Sequence, residues 1–184
     1  MTPDARAETV REAIRARREI VNEALDTYLP MADPERLYSA SRYLLEAGGK
    51  RLRPTVLLLV AEALTDTEPL AEPYDAFPAY RDGEEPVDVL AAAISVEVIQ
   101  SFTLIHDDIM DQDEMRRGSP SVHVAFDEET AILAGDTLYS KAFEIMLQTG
   151  APAERAVEAM DVLASTCTRI CEGQSLDVSF EERT

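Results

Sequence analysis

The sequence has few of the residues that most zinc and redox sites use. It contains two cysteines and two histidines in 184 residues. Cys167 and Cys171 are four positions apart in a helical stretch, but without a second pair or a nearby histidine they make a poor zinc site. We interpret them as small buried side chains. A metal hydrolase would need more histidines than His106 and His123.

Basic residues are scarce too. Lysine and arginine total 17 against 36 acids, a net charge of −19, and Lys50 and Lys141 are the two lysines. Nucleic acid is therefore not an expected partner, since binding it needs a cationic face. Self-repulsion of this size strains a fold at low ionic strength but nearly vanishes in about 1 M salt, where the Debye length is about 3 Å. The composition favours a salt-accumulating, halophilic cytoplasm; an ordinary acidic protein is the alternative.

Long apolar runs are missing as well. No run approaches the roughly 18–20 residues that span a bilayer. The N-terminus is charged and lacks the apolar centre of a signal peptide. We therefore expect a cytoplasmic protein with no membrane span. At 46% hydrophobic and 29% charged, the chain has the composition of a single globular domain over residues 1–184.

Helical periodicity dominates what is present, and no strand is convincing, so the sequence predicts an all-α bundle. Predicted helices cover residues 4–29, Pro34 to the glycines at 48 and 49, a stretch from Pro54, one from about Val87, Asp127 to Gly150, and one from Pro152. Asp33 is the expected cap of the second helix. Residues 65–88 carry four prolines and many acids, and are expected to form a surface loop that is disordered or loosely packed.

An acidic cluster follows the helix from Val87, which is apolar nearly all round and is predicted to be central and buried. Five carboxylates occupy the eight positions 107–114. At about 100° per residue, Asp107, Asp108 and Asp111 share one face at the negative end of the helix dipole. Three acids there imply a cation supplied from outside, and carboxylates without His or Cys suit Mg²⁺.

Other interpretations of the acids are less satisfactory. A calcium loop needs a glycine at its sixth position, whereas counting from Asp107 or Asp111 gives Gln112 or Arg116. A plain solvated acidic face is the strongest alternative, and the spacing alone does not decide against it. The apolar character of the preceding helix argues against a solvated acidic face, because such a helix is unusual at a protein surface.

Two basic clusters favour a ligand with phosphate groups. Arg116 and Arg117 follow the acids, and "GGKRLRP" (48–54) places Lys50, Arg51 and Arg53 beside two glycines that let backbone approach a ligand. Basic residues also cap helix C-termini, which is the alternative for the second cluster. Metal-bound diphosphate on one side and bare diphosphate on the other would use all of these parts.

In these motifs the sequence resembles the trans-isoprenyl (polyprenyl) diphosphate synthases, especially the archaeal geranylgeranyl diphosphate synthases. "GGKRLRP", "LIHDDIMDQDEMRRGSPSVH", "AILAGDTLY" and "EGQSLDVSFE" occur in that family's order and spacing. The resemblance implies an isoprenoid-synthase-type helical bundle around a central pocket, normally a homodimer. It also implies a prenyltransferase that condenses isopentenyl diphosphate with an allylic diphosphate (dimethylallyl, geranyl or farnesyl), with two or three Mg²⁺ in a complete site.

The resemblance also assigns roles to individual residues. Asp107, Asp108 and Asp111 would be catalytic and hold Mg²⁺, and Arg116 would contact the allylic diphosphate. The residues expected to bind isopentenyl diphosphate are Lys50, Arg53, Arg117 and, more weakly, Gln100, which stands where the family usually has histidine. Gln174 and Asp177 match a later motif that lines the pocket.

Product length is expected to depend on Phe102 and Thr103, five and four residues before Asp107. An aromatic residue at the fifth position with a small residue at the fourth suggests a geranylgeranyl product in the family. The alternative is that Phe102 only packs between helices.

The chain departs from the family at its end. After "FEERT" there is no Lys-Thr pair and no second aspartate-rich motif. We therefore expect either the front part of a longer enzyme, incomplete on its own, or a non-catalytic partner subunit that pairs with a full-length synthase.

Overall fold

The computed structural model describes residues 2–81 and 83–181, and it is mostly helical. The predicted all-α class is confirmed. Seven α-helices lie in the described residues: α1 (Pro3–Tyr28), α2 (Glu35–Glu46), α3 (Leu52–Thr65), α4 (Val89–Met110), α5 (Val122–Ala125), α6 (Glu128–Leu147) and α7 (Ala153–Glu181). The chain divides into two compact units, residues 1–150 and residues 151–184, the second of which carries α7.

Helix α4 is the centre of the first unit and packs against α3 and α6. Its residues Ala93, Ile94, Val98 and Ile105 are completely buried, which confirms the predicted buried central helix. Among the described residues α4 is also the one helix long and apolar enough to cross a bilayer, contrary to the sequence prediction. Core helices of soluble proteins pass the same test, and most of α4 is buried inside the protein.

Most helix boundaries lie within two residues of the predicted ones, and the short α5 was not predicted. Asp127 caps α6, accepting a hydrogen bond from the Thr130 amide at 2.6 Å, as its position predicted. The expected cap Asp33 is wrong, because Pro34 is the N-cap of α2 and no side chain caps this end. Helix α3 begins at Leu52, two residues before the predicted Pro54.

The segment between α3 and α4 is better packed than expected. Tyr74 and Phe77 are buried and stack on each other with ring centroids 5.7 Å apart. The backbones of Phe77 and Val87 exchange two hydrogen bonds of 2.8 Å. These contacts anchor the middle and the C-terminal end of the Pro-rich stretch, so the predicted loose packing is wrong at these positions.

Two short strands correct the expectation that no strand is present. Strands β1 (Met115–Arg116) and β2 (Ser119–Pro120) pair antiparallel directly after the acidic cluster.

The prediction that both cysteines are buried is correct only for Cys167, because Cys171 is exposed.

Candidate functional site

The acidic cluster lies at the C-terminal end of α4, where its members differ in exposure. Asp108 is fully buried, Asp107 is half-buried and Asp111, the C-cap residue, is exposed. Within one turn, the acids of this helix therefore range from fully buried to solvent-exposed.

Arg116 contacts this cluster directly. Its Nε donates to Asp108 Oδ1 at 2.6 Å, a second nitrogen donates to the same oxygen, and that nitrogen lies 3.3 Å from Asp113 Oδ2. The charge-assisted bond to Asp108 raises the pKa of Arg116, although partial desolvation opposes the rise. The sequence predicted an arginine facing a diphosphate, whereas in the structure its fork is engaged by Asp108 and Asp113.

Negative charge is not fully balanced at this end of α4. Desolvation raises the pKa of Asp107; Asp111 and Asp108 raise it further, while Arg116 and His106 oppose the rise. The second carboxylate oxygen of Asp108, Oδ2, is buried without a hydrogen-bond partner. An unsatisfied buried carboxylate oxygen is costly unless a cation or donor meets it.

These observations fit a hard divalent cation at the acids, because such ions take carboxylate oxygens and leave positions for phosphate. The fit is incomplete in one respect: among residues 2–81 and 83–181, no three His, Cys, Asp or Glu side chains surround a common metal position. In this arrangement Arg116 holds Oδ1 of Asp108.

A two-residue hairpin turn positions the paired arginines. Arg117 (φ 54°) and Gly118 (φ 83°) both have left-handed backbone, as a tight hairpin connection requires. A non-glycine residue in this region is strained, and such strain is concentrated at functional sites. Because the turn joins β1 to β2, Arg116 is held against the acids while Arg117 projects from the turn itself.

Arg117 reaches the glycines of the first basic cluster. Its guanidinium donates to the Gly48 carbonyl and, at 3.4 Å, to the Leu44 carbonyl. A Cβ on Gly49 would lie 2.8 Å from Arg117 Nη1, so a side chain at this position would displace the guanidinium. Desolvation lowers the pKa of Arg117, which indicates a guanidinium partly removed from water.

All four residues predicted to bind isopentenyl diphosphate line one cavity of about 590 Å³: Lys50, Arg53, Gln100 and Arg117. They come from the α2–α3 connection, α3, the middle of α4 and the hairpin turn. Arg18 of α1 lines the same cavity and was missed by the sequence analysis. A cavity lined by this many cations is suited to a multiply charged anion.

Arg51 has a supporting position in this cavity. It is 2% exposed and donates to Glu97 Oε1 at 2.6 Å and to Asn22 Oδ1 at 2.9 Å. Glu97 is the carboxylate in the cavity wall, and Arg51 neutralises it. From sequence, Arg51 stood with the other bases beside the two glycines and Glu97 was not recognised, since a long-range pair leaves no local sequence signal.

The two predicted product-length residues lie one turn below the acids. Phe102 is half-buried and makes edge-to-face contacts with His106 (4.9 Å) and with Tyr139 of α6 (5.3 Å). Thr103 is buried, and its hydroxyl donates to the Gln100 carbonyl at 2.9 Å. Tyr139, in the "GDTLY" stretch, was not singled out from the sequence.

Gln174 and Asp177 lie on α7, in the second compact unit, three residues apart and therefore on the same side of the helix. Gln174 is half-buried and Asp177 is exposed.

The fold and the site define an all-α protein with an acidic helix end beside a cationic cavity. The polyprenyl synthetase family model matches residues 34–184, and the chain belongs to the polyprenyl synthetase family.

Relatives support this assignment along the whole chain. A geranylfarnesyl diphosphate synthase from Natronomonas pharaonis, a halophile, is 70% identical over 97% of this chain and 52% of its own length. A geranylgeranyl diphosphate synthase from Methanosarcina mazei is 51% identical over 95% of this chain and 48% of its own.

A solved structure agrees with the fold. The geranylgeranyl pyrophosphate synthetase of Geoglobus acetivorans superposes with a TM-score of 0.78 at 49% identity, covering 92% of this chain and 49% of that one. The chain spans about half the length of each of these three proteins.

Proposed function

We propose that this chain carries the isopentenyl-diphosphate site and the first acidic motif of a trans-prenyltransferase. The observation that carries the proposal is the convergence of Lys50, Arg53, Gln100 and Arg117 on one cavity. Arg117 is adjacent in sequence to Arg116, which is bound to Asp108. The cationic cavity and the acids are therefore joined through two consecutive residues of one hairpin.

The cavity holds the diphosphate of isopentenyl diphosphate. Lys50 supplies charge from the α2–α3 connection, Arg53 from the first turn of α3, and Arg117 from the hairpin turn. Gln100 donates a hydrogen bond without adding charge. Because the diphosphate is held at several points, the double bond of the same molecule has a fixed position. This favours its attack on the allylic carbon, since the substrate has lost its motional freedom before the reaction.

The acidic end of α4 holds the other substrate. Asp107, Asp108 and Asp111 would bind Mg²⁺, which supplies charge stabilisation for the departing diphosphate of the allylic ester. Arg116 keeps Asp108 oriented and contributes positive charge beside that diphosphate. Apolar walls around Phe102 exclude water from the allylic cation.

The reaction then balances without further reactants. The allylic carbon–oxygen bond breaks, and the electron pair leaves with the diphosphate. The double bond of isopentenyl diphosphate forms the new carbon–carbon bond, and loss of one proton restores a double bond. The product is longer by one isoprene unit.

We propose geranylgeranyl diphosphate as the product, for isoprenoid and membrane-lipid synthesis. Phe102 supports this length because its ring, backed by Tyr139, stands about 7.5 Å of helix rise before Asp107. The Methanosarcina mazei relative carries the same product name, and the Natronomonas pharaonis relative is named for the next longer product. Product chromatography separates the two chain lengths.

We also propose one cytoplasmic prenyl synthase domain that acts as a homodimer. A single family model spanning residues 34–184 supports one domain, including the segment 65–88 as its surface loop. The acidic, lysine-poor composition supports a salt-rich cytoplasm. Ile132, Leu133 and Leu147 are exposed apolar residues on α6, which supports a protein partner there.

Prenyl transfer tests the proposal directly. The chain is incubated in molar KCl with Mg²⁺, farnesyl diphosphate and labelled isopentenyl diphosphate. We expect a twenty-carbon product, and a loss of at least about a hundredfold in Asp107→Asn, because charge stabilisation of a leaving group is typically worth this much.

Asp66→Asn is the matched control, since Asp66 is the C-cap at the far end of α3, where asparagine tolerates the left-handed backbone. No product, together with no binding of isopentenyl diphosphate that depends on Arg53, would contradict the proposal. Arg53-dependent binding without turnover would instead identify the non-catalytic partner subunit.

A further inference from the structure

The first helix presents arginines to a second, smaller cavity. Arg11, Arg15 and Arg18 follow at intervals of four and three residues, so they share one face of α1. Together with Ile14, Lys50 and Leu52 they line a hollow of about 280 Å³. We call this hollow the outer cavity and the 590 Å³ cavity the inner cavity.

The two cavities adjoin. Arg18, Lys50 and Leu52 line both of them, so the outer cavity continues the inner one along α1. An anion in the outer cavity would meet Arg18 and Lys50, the same two cations that face the inner cavity. The outer cavity is therefore adjacent to the inner one and has two cations in common with it.

Four of the cations at these cavities lack protein partners although acids are abundant. Among the described residues, Arg15, Arg18, Lys50 and Arg53 make no side-chain hydrogen bond or ion pair. The chain has 36 acids for 17 bases, so pairing was available at little cost. Arg11 makes an exposed 3.2 Å pair with Glu8, which is weak at such exposure.

The chemistry of the outer cavity indicates its ligand class. Guanidinium forks match the geometry of phosphate oxygens, and three of them with one ammonium suit a multiply charged anion. Ile14 and Leu52 add an apolar side, and Leu52 is 46% exposed. A diphosphate with a short apolar substituent satisfies both parts.

We propose that the outer cavity is a second diphosphate-binding site, formed by Arg11, Arg15 and Arg18 with Lys50, that holds a diphosphate before it enters the inner cavity. This inference rests on the proposed function of the inner cavity. It adds a capture site on α1 that speeds the entry of a diphosphate into the inner cavity.

Capture must work by contact and not by a long-range field. In about 1 M salt the Debye length is about 3 Å, so steering over larger distances is nearly abolished. Direct guanidinium–phosphate hydrogen bonds act within about one Debye length, so salt weakens them less than it weakens steering over larger distances. Loss of an outer arginine should therefore raise KM and leave kcat nearly unchanged, in molar salt as well as in dilute salt.

Calorimetric titration of inorganic diphosphate into the whole chain, in 2 M KCl without Mg²⁺, tests the site. We expect two binding sites per chain. Arg15→Gln should weaken one of them about tenfold, the effect of losing a charge-assisted hydrogen bond. Arg6→Gln removes the same charge from α1 at an exposed position outside both cavities and should bind as the unmodified chain does.

Further variants separate the outcomes. Arg53→Gln should weaken the other site only; normal binding by this variant would contradict the proposed function itself. Binding by Arg15→Gln that matches Arg6→Gln, with Arg53→Gln impaired, would overturn the outer site alone. A weakening by Arg15→Gln in 0.2 M KCl that disappears in 2 M would also overturn it, since only a long-range field behaves so.

Circular dichroism of each variant verifies folding. Titration with isopentenyl diphosphate distinguishes the ester from free diphosphate, because Ile14 and Leu52 would give the ester tighter binding.

Discussion

His106 lies in the space left by the missing side chain of Gly135. A Cβ at this glycine of α6 would be 2.3 Å from His106 Nε2, so the imidazole takes this position only because position 135 has no side chain. The same imidazole lies 3.3 Å from the Ile132 carbonyl and packs on Phe102. One glycine thus determines where the residues just before the acids can lie.

Phe102→Ala is expected to lengthen the product by at least one isoprene unit. Removing the ring opens space next to Tyr139, one turn and a half before Asp107 on the same helix. Chromatography of the labelled products measures the change.

Phe126→Ala is the matched control for this substitution. Phe126 packs edge-to-face on Tyr43 at 5.7 Å, outside the aromatic group of α4 and α6, so its loss removes a similar ring without opening that space. An unchanged product distribution in Phe102→Ala, or an equal change in Phe126→Ala, would remove Phe102 from the product-length role.

At the scale of elements, one buried ion pair joins α1 to α3. Arg17 donates to both carboxylate oxygens of Glu62, at 2.8 and 2.5 Å, and both residues are at least 95% buried. The Tyr74 hydroxyl (2.5 Å) and the Leu70 amide (3.0 Å) donate to the same carboxylate. Glu62 therefore ties the Pro-rich segment to two helices.

We expect Glu62 to make the protein sensitive to acid. Burial acts to raise the pKa of Glu62, but the donors Tyr74, Leu70 and Arg17 outweigh it and hold the pKa below the ordinary value. A lowered folded-state pKa means stability that is present above the unfolded pKa of about 4.3 and lost as pH falls through the lower, folded value. Urea unfolding between pH 6 and about pH 3 measures this loss.

Glu62→Gln should lower the free energy of unfolding at neutral pH by about 3–5 kcal/mol, since Arg17 stays buried without a charge partner. It should also flatten the acid part of the pH profile. Glu23→Gln, at an exposed position of α1, should do neither. A Glu62→Gln profile parallel to that of the unmodified chain would contradict this assignment.

At the scale of the whole molecule, charge is distributed unevenly. The net charge is −19, yet the unpaired cations described above gather at the two adjoining cavities. Repulsion among the acids opposes the compact state at low ionic strength. Salt is therefore expected to stabilise the fold as a whole.

The urea midpoint should rise steadily as KCl increases from 0.1 M to 2 M, because the Debye length falls from about 10 Å to about 3 Å by 1 M. Screening depends on ionic strength, so NaCl should give nearly the same gain. A midpoint independent of salt, or a gain confined to one cation, would contradict the screening explanation.

Several features could be predicted from the sequence because they depend on neighbours within one or two turns. Helical periodicity predicted the helices and the burial of α4, and Asp127 was recognisable as a cap because capping involves a residue three positions away. The motif residues Lys50, Arg53, Gln100 and Arg117 were identified through the resemblance of their motifs to those of the family.

Only the tertiary structure decided which groups meet. Three contacts depend on how the helices pack, because the partners are distant in sequence or lie across a turn. Arg116 pairs with Asp108, Arg51 neutralises Glu97, and Arg18 of α1 faces the inner cavity. Local periodicity reports which side of an element is apolar, and it carries no information about which charged side chain of another element will lie opposite. That pairing separates the structural arginines from those left free to bind an anion.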